Sequence, residues 1–109
     1  MVVAVNPLPI GNALRITLAP PAGSKLWNLL RNTTGEFAGP DDPGATLVAQ
    51  SNERVLYDAI GLANGTEYFY TAYYWDGTQF NADPIVASGT PGANYFDDST
   101  DALDRKSVV

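Results

Sequence analysis

An all-β sandwich is the fold this sequence predicts, and three observations predict it. The 10 glycines and 8 prolines fall largely between short apolar runs, the composition of a chain with many turns and short strands. Leu14, Ile16 and Leu18 alternate with Arg15 and Thr17, the period of a half-buried strand. The aromatic-rich run from Glu67 to Trp75 ends directly on Asp76-Gly77, a strong signal of a two-residue hairpin turn. Helical periodicity is missing until the C-terminal tail.

The elements follow in order. Residues 1–12 contain Pro7 and Pro9, so they form an extended N-terminal arm or an edge strand that proline interrupts. Such an arm is expected to add little to the core. Leu14 to Leu18 is a strand, closed by Pro20, Pro21 and Gly23. Leu26 to Arg31 is the next, with Trp27 and Leu29 on one face and Asn28 and Leu30 on the other. The stretch from Asn32 to Gly44 reads as loop, with Phe37 as its anchor. Ala45 to Ala49 is a short edge strand and Arg54 to Asp58 a further strand, Val55 and Tyr57 sharing a face. Gly61 to Gly65 connects to Glu67–Trp75, and Phe80 to Ala87 is the return strand, with Pro84 marking an edge or a bulge. In the tail, Asp97-Asp98-Ser99-Thr100 caps a short helix through Val109. Acids lie at its start and Arg105 and Lys106 near its end, as the helix dipole favours. The chain thus divides into residues 1–12, a sandwich over 13–91 and a tail over 92–109.

Composition excludes several function classes. At 109 residues, with 45% hydrophobic and 17% charged residues, the chain has room for one globular domain with its own core. It has no Cys and no His. That removes disulfides, thiolate metal sites, the usual general base near neutral pH and the commonest transition-metal ligand. A net charge of -6 makes nucleic acid an unsuitable partner. No run approaches the roughly 20 apolar residues of a membrane helix, and Met1 to Val5 lacks the parts of a signal peptide.

Gly61-Leu62-Ala63-Asn64-Gly65-Thr66-Glu67-Tyr68-Phe69-Tyr70-Thr71-Ala72 resembles the corner between strands E and F of fibronectin type III domains. Leu62 and Tyr68 match the corner pair, and Tyr70, Ala72 and Tyr74 the inward positions that follow. Leu14 to Pro21 is similar to strand B of that family, Trp27 to Arg31 to strand C, and Ser88-Gly89-Thr90-Pro91 to the exit from strand G. One departure is Leu18, where many members carry Trp near the end of strand B. The resemblance implies an immunoglobulin-like sandwich and a habit of binding, with Tyr68 buried and its hydroxyl bonded to backbone near Leu62 to Asn64. It names no function, since sites are grafted onto such folds.

Catalysis has little to work with. There is no serine elbow for nucleophilic attack. The carboxylate pairs Asp41-Asp42 and Asp97-Asp98 sit among turn residues, where Asp bonds local backbone amides. Asp97, Asp98, Ser99 and Asp101 offer oxygens to Ca²⁺ but lack the spacing and glycine of an EF-hand, so capping is the preferred reading. No catalytic, metal or cofactor residue is assigned. The candidate interface residues are Leu30, Phe69, Tyr73 and Trp75, with Asp41 and Asp42 of the acidic loop. If Tyr68, Tyr70, Ala72 and Tyr74 face the core, period 2 sends Phe69, Thr71, Tyr73 and Trp75 outward beside Leu30. An outer aromatic stripe serves a protein interface, a sugar platform or cross-strand packing alone.

The protein-interface reading leads. It makes the chain a non-enzymatic module that binds protein subunits of a larger assembly and allows a homo-oligomer. A starting Met, no export signal, a compact fibronectin-like unit and a short tail also resemble small virion proteins of tailed bacteriophages. That likeness implies a virion location, on tail, neck, baseplate or capsid, after synthesis in the host cytoplasm. The alternative is an extracellular carbohydrate-binding or spacer module of an enzyme.

Overall fold

The computed structural model describes residues 1–82 and 85–92. The tail helix expected beyond Asp97 lies outside the described residues. Among the described residues eight strands form two antiparallel sheets: β1 (Val2–Pro7), β2 (Leu14–Leu18), β3 (Leu26–Asn32), β4 (Thr46–Ser51), β5 (Val55–Asp58), β6 (Tyr68–Trp75), β7 (Phe80–Ala82) and β8 (Ala87–Gly89). The smaller sheet runs β1-β2-β5. The larger runs β4-β3-β6-β7, and β8 also pairs with β6. The single return strand expected over Phe80 to Ala87 is therefore two short pieces. β7 lies against Tyr73–Trp75 and β8 against Tyr68–Tyr70. Between them the Thr71 hydroxyl donates to the Ile85 carbonyl at 3.0 Å.

Alternation fills the space between the sheets. Leu14, Ile16 and Leu18 of β2 are buried, as are Trp27 and Leu29 of β3 and Tyr68, Tyr70 and Ala72 of β6. Leu18 and Trp27 belong to the same cluster, so the indole on β3 supplies aromatic bulk that β2 lacks. Its Nε1–H donates to the Glu53 carbonyl at 2.9 Å, which satisfies the one polar atom the ring carries inside.

The N-terminus departs from expectation. Met1 and Val2 are 2% and 0% exposed and belong to the core, and Ala19 N–H donates to the Met1 carbonyl at 2.7 Å. The reason lies in the order of residues. The apolar run precedes both prolines, so β1 pairs with β2 from Val2 to Pro7 and ends where proline would have broken it. A bulge between Val2 and Ala4 keeps Val2 and Val5 on the core side. Asn12, at φ 54, then turns the chain, and its amide donates to the Leu62 carbonyl at 3.0 Å. Asn tolerates this left-handed conformation better than most residues.

Candidate interaction surface

On β6 the period of 2 sets two faces. Tyr68, Tyr70 and Ala72 point in, and Phe69, Thr71, Tyr73 and Trp75 point out. The register with β3 places Asn32 opposite Phe69, Leu30 opposite Thr71, Asn28 opposite Tyr73 and Leu26 opposite Trp75. The predicted residues Leu30, Phe69, Tyr73 and Trp75 therefore share the outer face of the larger sheet. The expected open stripe is absent, however. Leu30 is 2% and Tyr73 8% exposed, and Asn28 and Thr71 are buried between them. Phe69 and Trp75 are half-buried.

Part of the cover is the chain's own loop between β3 and β4. A Cβ placed on Gly35 would sit 3.2 Å from the Phe69 ring, so the loop backbone rests on that ring. Asn32 holds the turn. Its Oδ1 accepts from Gly35 N–H at 2.9 Å and its amide donates to the Glu36 carbonyl at 2.7 Å. Asp42 holds the other half, accepting from Ala38 N–H and Gly44 N–H at 2.8 Å each. Those two backbone donors keep its carboxyl below the usual range. Burial and then the Asp42 charge push the Tyr73 hydroxyl up. Asp42, far from Tyr73 in sequence, thus lies within electrostatic reach of it. Asp42 orders the loop, while Asp41 beside it is exposed.

The far end of the face stays open. Leu26, Gln50, Trp75 and Phe80 line a shallow depression of about 260 Å³. The Trp75 and Phe80 rings meet edge to face, with centroids 5.0 Å apart and planes at 64°. Gln50 Nε2 donates to Asn28 Oδ1 at 2.7 Å, which fixes an amide beside the rings. The turn behind Trp75 runs from Asp76 to Gln79 rather than through Asp76-Gly77 alone. Asp76 accepts from Thr78 N–H, Gln79 N–H and the Asn81 amide at 2.8, 3.0 and 2.8 Å, and these donors lower its carboxyl pKa.

A buried polar group went unforeseen. Arg31 Nη1 and the Tyr70 hydroxyl both donate to Asp58 Oδ2, at 2.7 and 2.8 Å. Arg31 also reaches the Ile60 carbonyl at 3.1 Å and lies over the Tyr68 ring at 5.6 Å. The available signal was Asp58 in step with the inward Leu56, and Arg31 in step with Trp27 and Leu29. Among the described residues no group of three or more His, Cys, Asp or Glu side chains is placed to hold a metal ion. The Ca²⁺ idea at Asp97 to Asp101 lies outside them.

Tyr68 is 7% exposed, and its hydroxyl accepts from Ala63 N–H at 2.8 Å. With Leu62 buried beside it, this is the expected tyrosine corner. Together with the three- and five-stranded sheets, it defines a fibronectin type III fold. No family model matches the sequence, and no curated protein matches it. Among solved structures, the crystal structure of FN3tt superposes with a TM-score of 0.60 at 16% identity, over 81% of this chain and 86% of that one.

Proposed function

We propose that this chain is a non-enzymatic interaction module that holds a protein subunit on the ledge formed by Leu26, Gln50, Trp75 and Phe80. The observation that carries this reading is the contrast along one sheet face. Leu30 and Tyr73 are buried on that face, and the Trp75–Phe80 pair is left at an open depression. Rigid aromatic rings of this kind are favoured interface anchors, because they bury much area at little entropic cost. The acids Asp42 and Asp76 are engaged by loop amides, and a chain without Cys or His has few groups to place beside them for catalysis.

The setting we propose is a virion of a tailed bacteriophage, where the module joins neighbouring subunits of tail, neck, baseplate or capsid. It rests on a resemblance in style alone, that of a compact fibronectin-like unit to small virion proteins. A second reading, a carbohydrate-binding or spacer module, draws on the amides of Gln50 and Asn28 beside Trp75, since sugar sites pair a ring with amide donors. One experiment separates the two. Wild type and Trp75→Ala are compared for incorporation into assembled particles and for indole fluorescence change with a panel of oligosaccharides. Loss of incorporation by a folded Trp75→Ala protein supports the subunit contact. Saturable fluorescence change with a sugar, and unchanged incorporation, overturns it.

A further inference from the structure

The ledge at Trp75 has a direction. Its lining residues come one from each strand, in the order of the sheet: Gln50 from β4, Leu26 from β3, Trp75 from β6 and Phe80 from β7. Leu26 stands opposite Trp75, and Trp75 opposite Phe80, so the three make a row that crosses the strands. Gln50 extends the row onto β4, where it stands opposite Asn28. Neighbouring strands lie about 4.8 Å apart, which sets Leu26 and Phe80 roughly 9.6 Å from each other with the indole between them.

A chain lying along this row has to match its spacing. A polyproline II helix repeats every three residues and rises about 3.1 Å per residue, so one face recurs at about 9.3 Å. Laid across the strands, it seats successive residues of one face on either side of the indole. A β-strand repeats a face every ~6.8 Å and falls out of step. Nor does it gain backbone bonds here, because a sheet offers its ladder groups at an edge and not on a face.

Hydrogen bonding selects the same occupant. Among the described residues the Trp75 Nε1–H has no acceptor, whereas that of Trp27 is bonded to the Glu53 carbonyl. Gln50 gives one amide hydrogen to Asn28 Oδ1 and keeps the other. The ledge thus combines apolar rings with free N–H donors, and an indole can only donate. Proline has no N–H, and the carbonyls of a polyproline II segment make no internal bonds. Such a segment brings acceptors and apolar rings and adds no unpaired donor. None of the four lining side chains is charged. Lys25 and Asp76, one of each sign, flank Leu26 and Trp75 in sequence, so no ionic partner is called for.

We infer that the subunit held on the ledge, taking that ledge as the contact proposed above, presents a proline-rich segment in the polyproline II conformation. It lies across β3, β6 and β7, packs its pyrrolidine rings on Leu26, Trp75 and Phe80, and accepts from Trp75 Nε1–H. The helix is preformed before it docks, so little conformational entropy is lost.

Titration of the isotope-labelled full chain with decaproline, over about 10 µM to 1 mM, tests this at the indole N–H signals of Trp75 and Trp27. The Trp75 signal should move saturably and the Trp27 signal should stay. A Gly-Ser repeat peptide of the same length should move neither. Trp75→Phe keeps a ring and removes the donor, and should weaken binding by about threefold or more. Trp75→Ala should weaken it by about tenfold or more. Both are read at the amides of β6 and β7, with melting temperature showing that each variant is folded. No saturable shift, equal shifts with the Gly-Ser peptide, or an affinity indifferent to both variants overturns the inference. So does an oligosaccharide that moves the Trp75 signal where decaproline does not. If decaproline fails while folded Trp75→Ala protein is lost from particles, the proline segment falls and the subunit ledge stands. Saturable binding at Trp75 with unchanged incorporation upholds the proline site and removes the particle subunit as its bearer.

Discussion

Arg31 Nη1 lies 2.7 Å from Asp58 Oδ2, and the pair ties the larger sheet to the smaller through their inner surfaces. Arg31 is the last residue but one of β3 and Asp58 ends β5, with side chains 13% and 3% exposed. Tyr70 from β6 donates to the same oxygen. Three strands from two sheets therefore meet at one carboxylate. Asp58→Ala strips two buried donors of their acceptor and should cost about 3 kcal/mol or more of folding stability. The double variant Arg31→Met/Asp58→Leu should cost less than the sum of the single changes, because neither charge is then left alone. Urea denaturation of wild type, Asp58→Ala, Arg31→Met, Asp58→Leu and the double variant reads this directly, and strict additivity would show that the pair does not act as a unit.

The same cluster sets the alkaline limit of the fold. Tyr70 is fully buried, and burial, followed by its bond to Asp58, pushes its hydroxyl pKa well up. An unfolded tyrosine ionises near pH ~10. The neutral form is the one the fold holds, so its stabilisation is complete below about pH 10. It is lost as pH rises above that, by up to about 1.4 kcal/mol per pH unit. Denaturation midpoints measured from pH 8 to pH 11 should fall for wild type and fall less steeply for Tyr70→Phe. Equal slopes would mean that another group sets the limit.

At the corner, Tyr68 accepts from Ala63 N–H at 2.8 Å. Tyr68→Phe keeps the ring and removes the acceptor, leaving a backbone donor at a partly buried site. It should cost about 1 kcal/mol or somewhat more. Exchange of the Ala63 amide should quicken by more than that of the strand amides. A variant as stable as wild type, with Ala63 still protected, would show that the hydroxyl is not what holds this turn.

Local spacing carried most of the fold. The Leu62–Tyr68 interval, the alternation of Leu14, Ile16 and Leu18, and the presence of a hairpin after Trp75, though not its four-residue turn from Asp76 to Gln79, depend on residues a few positions apart, so period and turn chemistry reveal them. The inward and outward sets of β6 were legible for the same reason. The exposure of the outward set was not. Phe69 is covered partly by a loop whose path is set by side-chain bonds from Asn32 and Asp42, and no periodicity encodes that. Met1 and Val2 run against the expectation because the proline content of residues 1–12 says nothing of the apolar run that precedes both prolines. Arg31 and Asp58 are 27 positions apart and meet only once the sheets are stacked.

The seam between β1 and β8 is tight at one residue. A Cβ on Gly89 would lie 2.6 Å from Val5 Cγ1 and 3.1 Å from the Val5 carbonyl oxygen. Gly89→Ala should therefore push β1 off the seam at a cost of about 1–3 kcal/mol, the usual range for overpacking. Val5→Ala removes the nearer atom and should recover part of that loss in the double variant, a coupling that a double-mutant cycle measures. Since Val2 of β1 and Met1 just before it are core residues, amide exchange across β1 should speed up in Gly89→Ala. A silent Gly89→Ala would mean the two strands separate freely.

Tyr73 and Trp75 stand two residues apart on the same outer face, and their environments separate what each should do. Tyr73 is 8% exposed, within electrostatic reach of Asp42, and pairs across β3 with the buried Asn28. Tyr73→Ala opens a cavity inside the chain, so it should lower stability by about 3 kcal/mol and loosen the loop that Asp42 orders. Trp75 is half-buried at the open depression with Phe80 and Leu26, where its remaining surface is available to another molecule. Trp75→Ala should change the melting temperature less than Tyr73→Ala does. It should weaken association with a bound subunit by about 2 kcal/mol or more, the scale of a central aromatic anchor. Melting and subunit association measured on both variants give a crossed pattern if this division holds. A Trp75→Ala protein that loses stability as Tyr73→Ala does, and associates as wild type does, would reduce the ledge to sheet packing and move the search for a partner to another face.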